Sequence, residues 1–264
     1  MKIDLTGRRA VVTGSTAGIG FGIVQGLAAA GAAVLLNGRT QDRVDAALQQ
    51  LADTVPGAQA AGIAADLGTA EGCKAFLNAA PETDILVNNL GIFGTAPFAK
   101  LSDADWQLYF DVNVMSGVRM TRAYLGPMVD RGWGRVVFIS SESGLNIPPE
   151  MVQYGFSKAA QIAIARGLAE SVAGTGVTVN SVLPGPTDSE GVRKAMARRA
   201  EATGVPADTV AERFVKELRP SSLIRRLATV EEVANMVVYA CSEQASATTG
   251  AALRVEGGIL RHPG

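Results

Sequence analysis

The chain has 264 residues, 47% of them hydrophobic and 19% charged, with a formal net charge of −1. That is enough apolar material for a sizeable core, and the near-neutral balance argues against a nucleic-acid footprint or a basic membrane-binding surface. No apolar run reaches the roughly 20 residues needed to span a bilayer, the N-terminus MKIDLTGRRAVVTG carries no export segment, and Cys73 and Cys241 have no CxxC partner; a cytoplasmic protein with two free thiols is expected.

Strand signals recur along the chain as short runs of Val, Ile and Leu: 10–14, 33–38, 62–67, 84–89, 135–140, 177–183 and 252–257. Most are continuously apolar, as parallel strands covered on both faces are. Helical patterns fall between them, near 18–30, 41–54, 70–80, 103–130, 152–173 and 230–242, with Ser102 and Asp105 spaced to cap the fourth. Strict βα alternation predicts one parallel sheet of about seven strands wound on both faces, an α/β fold. No Pro-, Gly- or Ser-rich linker divides the chain, so residues 1–264 read as a single domain. One stretch departs from the alternation: about 186–222 holds two charged helical patterns and no strand, which reads as a lid over a site.

The first strand runs into TGSTAGIG, where Gly14, Gly18 and Gly20 precede a helix. Glycines there let the backbone turn sharply and approach a pyrophosphate, with the helix N-terminus facing the negative charge. The absence of a GKS or GKT ending argues against a P-loop. After the second strand comes Asn37-Gly38-Arg39-Thr40. An acidic residue at this strand end would hold the 2′-hydroxyl of NAD; a guanidinium suits the 2′-phosphate of NADP instead. NADP(H) is therefore preferred, with NAD(H) as the alternative.

Tyr154 and Lys158 are one helical turn apart. A tyrosine with a pKa near 10 is a poor acid or base at neutral pH, and a nearby ammonium is expected to lower it. Ser141 stands just past a core strand, at the carboxyl edge where open α/β sheets bind ligands, and its hydroxyl suits a substrate carbonyl oxygen; Ser140 and Ser143 are close rivals on this reading. The only histidine, His262, lies two residues from the C-terminus, which removes a Ser–His–Asp hydrolase and a His-rich metal site from consideration.

TGSTAGIG, Asn113, Ser141 and Tyr154-x-x-x-Lys158 together resemble the short-chain dehydrogenase/reductases, from Gly7 to about Gly258. The resemblance implies a Rossmann-type fold, a nicotinamide cofactor, and hydride transfer between a carbonyl and an alcohol. It chooses Ser141 over Ser140 by its separation from the tyrosine. It further implies Tyr154 as acid/base, Lys158 as the residue that lowers its pKa and holds the nicotinamide ribose, and Asn113 as a member of a proton relay through water. Gly14, Ser15, Gly18, Ile19 and Gly20 would contact the dinucleotide, as would Asp66 and Leu67 at the adenine, Asn89 and Gly91, and Pro184, Gly185 and Thr187 near the carboxamide. Leu90 stands where the family commonly has alanine. A homo-oligomer, tetramer or dimer, is implied as well.

The substrate walls are expected from Phe93, residues 142–153 and the lid. Glu142 beside Ser141 would bind a hydroxyl or a cation, or point to solvent. A 3-oxoacyl group, a cyclic ketone and a sugar-like ketone all suit such a mixture, because specificity on this fold is grafted onto loops. The rival reading is a non-catalytic dinucleotide sensor on the same fold.

Overall fold

The computed structural model describes residues 2–205 and 207–262. Seven strands, β1 (Arg9–Val12), β2 (Ala33–Gly38), β3 (Ala60–Ala64), β4 (Ile85–Asn88), β5 (Gly134–Ile139), β6 (Val177–Pro184) and β7 (Ala252–Val255), form one sheet in the order β3-β2-β1-β4-β5-β6-β7. Every pairing is parallel. The helices are α1 (Gly18–Ala29), α2 (Gln41–Thr54), α3 (Ala70–Ala79), α4 (Asp103–Tyr109), α5 (Ser116–Asp130), α6 (Val152–Ser171), α7 (Glu190–Thr203), α8 (Ala207–Leu218) and α9 (Val230–Ala240). This is the Rossmann-type, doubly wound sheet expected. Among the described residues no helix is long and apolar enough to cross a membrane.

The two-residue period of the strands divides the core into two layers. Val12, Ile85, Val87, Val137 and Ile139 join the cluster that packs α1 and α9 on one face. Val11, Leu86, Val136 and Phe138 join the cluster under α3, α5 and α6 on the other. Both faces are thus covered, and β5 and β6 are buried at every residue, their polar side chains Arg135, Thr178, Asn180 and Ser181 included. Each fully buried aliphatic side chain contributes about 1.5–3 kcal/mol. The contact of α1 with α9 relies on Gly22, where a Cβ would lie 2.1 Å from Val230 Cγ1.

Two expectations change. The helix expected over 103–130 is interrupted: α4 and α5 are joined by a wider π-helical turn, Phe110–Met115, in which the Ser116 amide reaches back to the Asp111 carbonyl. Its start is as expected, with Ser102 and Asp105 forming a reciprocal cap. The third strand lies earlier than 62–67, because pairing with β2 runs from Ala60 to Ala64 and the chain then turns away. The strandless stretch is built of α7 and α8, and a short parallel bridge between Thr187 and Ala228 closes its base.

Candidate active site

The strand order reverses between β1 and β4, and their carboxyl ends, with those of β5 and β6, open onto a cleft of about 330 Å3. Such a switch point is where open α/β sheets bind ligands. Gly14, Gly18, Ile19, Gly20, Asn89, Gly91, Ser141, Tyr154, Lys158, Pro184, Gly185 and Thr187 all line it, so most residues singled out in the sequence converge on one space.

The loop after β1 is held open by conformation and by tethers. Gly14 (φ +59°) and Gly18 (φ +57°) occupy the left-handed region. A Cβ on Gly20 would stand 2.4 Å from Asn89 Nδ2 and 2.6 Å from the Gly14 carbonyl oxygen. Asn89 Nδ2 donates to the carbonyls of Thr13 and Gly14, both at 2.9 Å, while the Gly14 amide donates to Asn37 Oδ1 at 3.1 Å. Helix α1 then begins at Ala17 with no side-chain cap and no acidic residue in its first turn, in contrast to the reciprocal cap of Thr229 and Glu232 on α9. Its first amides are left to an anion. Ser15 does not line the cleft: its buried hydroxyl donates to the Val12 carbonyl at 2.7 Å and accepts from the Asn37 amide at 2.9 Å.

A second pocket of about 180 Å3 adjoins the first across Gly14, Ala17 and Leu90, lined also by Gly38, Arg39, Arg43 and Leu67. Arg39 and Arg43 are both exposed here, a paired cationic rim of the kind a phosphate monoester requires. Asp66 is outside the lining; its carboxylate is exposed and accepts the Gly68 amide at 3.0 Å. Taken together, an uncapped helix start, a glycine cradle and a two-arginine pocket fit a nicotinamide dinucleotide phosphate.

At the other end of the cleft, Ser141 donates to Glu142 Oε2 at 2.5 Å and accepts the Ser143 amide at 3.1 Å. Lys158 Nζ lies 5.6 Å from the centroid of the Tyr154 ring and donates to the Ile139 carbonyl at 2.8 Å and to Gln161 Oε1 at 3.2 Å. Asn113, on the π turn, is fully buried; its Oδ1 accepts the Ile92 amide at 2.7 Å and its Nδ2 donates to Ser157 Oγ at 2.8 Å. A Cβ on Gly91 would sit 3.4 Å from both Asn113 Oδ1 and Lys158 Nζ, so the backbone of Gly91 closes over this group.

The model of the short chain dehydrogenase family matches residues 8–200. The chain belongs to this family. It is 45% identical over 261 residues to the uncharacterised oxidoreductase YvaG of Bacillus subtilis, with 99% of each chain covered. It is 35% identical over 264 residues to the 3-oxoacyl-[acyl-carrier-protein] reductase FabG of Aquifex aeolicus, covering 98% of this chain and all of that one. The structure of L-sorbose reductase from Gluconobacter frateurii, complexed with NADPH and L-sorbose, superposes with a TM-score of 0.92 at 30% identity, over 99% of this chain and 100% of that one.

In this short-chain dehydrogenase the phenol departs from expectation. Burial pushes the Tyr154 pKa above the ordinary tyrosine value, the Ser141 hydroxyl draws it back, and the Glu142 carboxylate adds to the rise. The Lys158 ammonium donates to Ile139 and Gln161, and burial is the leading influence on the phenol. Burial also pushes the lysine down, to about 7. The Asn113 backbone carbonyl, for its part, accepts Gln161 Nε2 at 2.5 Å.

Three residues escaped the sequence reading. Arg43, in the first turn of α2, lies four residues beyond Arg39 and shares its pocket. Gln161 lies three residues beyond Lys158 on the same helix face. Arg219, directly after α8, pairs with Glu142 at 2.7 Å, the two side chains only 10% and 4% exposed. Glu142 therefore neither points to solvent nor waits for a cation; its cation is built in. Of the expected walls, Phe93 and Met151 line the cleft, together with Val192 of the 186–222 stretch, and Leu145 and Ile147 do not.

Proposed function

We propose that this protein is an NADP(H)-dependent carbonyl reductase acting on an uncharged ketone or secondary alcohol, with Tyr154 as general acid/base. The observation that carries this reading is the convergence of Ser141, Tyr154 and Lys158 on the same cleft as the glycine loop, next to a pocket rimmed by Arg39 and Arg43. Gly14, Gly18, Gly20 and the start of α1 would hold the pyrophosphate, Arg39 and Arg43 the 2′-phosphate, and Lys158, Gly185 and Thr187 the nicotinamide end. Bound there, the reduced dinucleotide supplies a hydride to the carbonyl carbon.

The chain's own residues do the rest. Tyr154, kept protonated by its burial, is set to deliver a proton to the oxygen of a ketone. Ser141 has one proton, given to Glu142 in the structure. Polarising a carbonyl calls for a rotation of that hydroxyl, after which Glu142 is still held by the Ser143 amide at 2.8 Å and by Arg219. Lys158 keeps a positive charge behind the phenol and favours its ionised form once the proton has left. Glu142 and Arg219 offset each other's charge at the serine end of the cleft, which suits an uncharged carbonyl group there. Nothing in the site favours a non-catalytic sensor, which has no need of a phenol and an ammonium in one cleft.

The test is NADPH oxidation against cyclic ketones, ketoses and 3-oxoacyl thioesters. Tyr154→Phe should retain NADPH binding, measured by fluorescence, and lose about 10²–10⁴-fold in kcat, the usual worth of a positioned acid. Full turnover by that variant would remove Tyr154 from the mechanism.

A further inference from the structure

We propose that Gln161 is a positioning residue for Lys158: its side-chain amide fixes the ammonium to the backbone carbonyl of Asn113 and so sets the pH range over which the lysine stays charged. The three groups are closed off from water, with Asn113 at 0%, Gln161 at 1% and Lys158 at 4% exposure. Gln161 donates through Nε2 to the Asn113 carbonyl and accepts through Oε1 from Lys158. Chemistry fixes the direction of this amide. Flipped, it would set an NH2 group against the ammonium and an oxygen against a carbonyl, two like contacts in place of two complementary ones. The loosened π turn lets the Asn113 carbonyl be reached from the side in this way.

What makes the link matter is the shortage of other partners for the lysine. The elements packed on α6 include the turns at 142–144 and 149–151, the π turn, α4, β5 and β6. Their titratable side chains are all engaged or distant. Glu142 is paired with Arg219, and Asp111 with Arg119 at 3.3 Å. Asp105 is taken by Ser102, and Asp103 is exposed. Glu150 lies in the partly exposed turn at 149–151. Tyr109, like Tyr154, is raised by burial and stays neutral. Arg135 is held near Glu243 at the opposite end of β5, and on α6 itself Arg166 is paired with Glu170. Strand β6 carries no titratable side chain. Among the described residues, the acceptors of the Lys158 ammonium are therefore two neutral oxygens, one of them supplied by Gln161. An amide does not pass protons readily, so the link positions the lysine and does not serve as a proton wire.

The consequence for turnover rests on the role proposed for Tyr154; the titration of Lys158 does not. The experiment therefore begins without nucleotide or substrate. The protein has six lysines, so selective ¹³Cε labelling, with Lys158→Met to assign the signal, gives the Lys158 titration by NMR in the native protein, Gln161→Met and Gln161→Glu. Methionine keeps the length and removes the acceptor, and the Lys158 midpoint should fall by about one pH unit, the size of one hydrogen bond to a charged group. Glutamate supplies a counter-charge, and the midpoint should rise by at least as much. The alkaline limb of the pH profile of kcat/KM should move in the same two directions. Either folded variant decides alone. An unmoved midpoint, or both variants moving the same way, overturns the proposal and leaves Gln161 a packing residue. Opposite shifts of the NMR midpoint with no ketone turned over would uphold the link and fault the reductase reading instead.

Discussion

The arginine pocket gives the most quantitative prediction. Arg39 and Arg43 line one space of about 180 Å3 below Gly38, and either guanidinium can donate to a phosphate monoester carrying close to two negative charges. A hydrogen bond to a charged group is worth about 1.5–3 kcal/mol. Both side chains are exposed, so solvent screening places each near the lower bound, about tenfold in affinity. Arg39→Met should thus lower the ratio of kcat/KM with NADPH to that with NADH by roughly tenfold. The double variant with Arg43→Met should lower it by about a hundredfold, provided the two act independently. Arg39→Asp adds repulsion and an acceptor for a ribose hydroxyl, and should come close to the double variant or pass it. The assay is steady-state turnover of one ketone with each nucleotide at two salt concentrations; the preference should weaken as salt rises. If the ratio stays constant in the double variant, the pocket does not read the phosphate.

Two other perturbations test the frame of the cleft. Gly20→Ala forces a Cβ against the Gly14 backbone, so NADPH binding measured by fluorescence should weaken by about 5- to 150-fold, for an overpacking cost of about 1–3 kcal/mol; unchanged binding would mean that the loop is not the cradle. Arg219→Met strands the Glu142 carboxylate under the lid, at a cost approaching about 3 kcal/mol for one broken buried pair. Chymotryptic cleavage within 190–218 should then quicken and kcat/KM fall, with partial recovery on adding Glu142→Gln; an unaltered digestion rate would separate the ion pair from lid closure.

How much of this could be read from the sequence follows from the range of each interaction. The sheet was legible because strands buried on both faces have no solvent face to show, as the fully buried residues 10–12 of β1 and 85–87 of β4 illustrate. Tyr154 and Lys158 were legible because their relation is one helical turn. The Glu142–Arg219 pair spans 77 residues and the Gln161–Asn113 bond 48; neither leaves a local pattern, since only the fold brings the partners together. The π turn was invisible because six residues are too few for its wider spacing to disturb the apolar periodicity of 103–130. The burial of the phenol was out of reach of the sequence for a different reason. Spacing showed that an ammonium would be near, but not that its hydrogen bonds would be spent on Ile139 and Gln161.

The same π turn sets two measures of quality against each other. A helix running evenly from Asp103 to Asp130 would be the more regular object, and removal of a single residue between Phe110 and Met115 would allow it. Everything beyond the deletion would then rotate by about 100° about the axis, carrying the face of α5 that meets α3, β4 and β5 out of step with them. Selection for smoothness here would be selection against the cleft. A sequence optimised only for helix propensity would be drawn to that repair, and the repaired protein would be expected to fold with its Asn113 carbonyl turned away from Gln161.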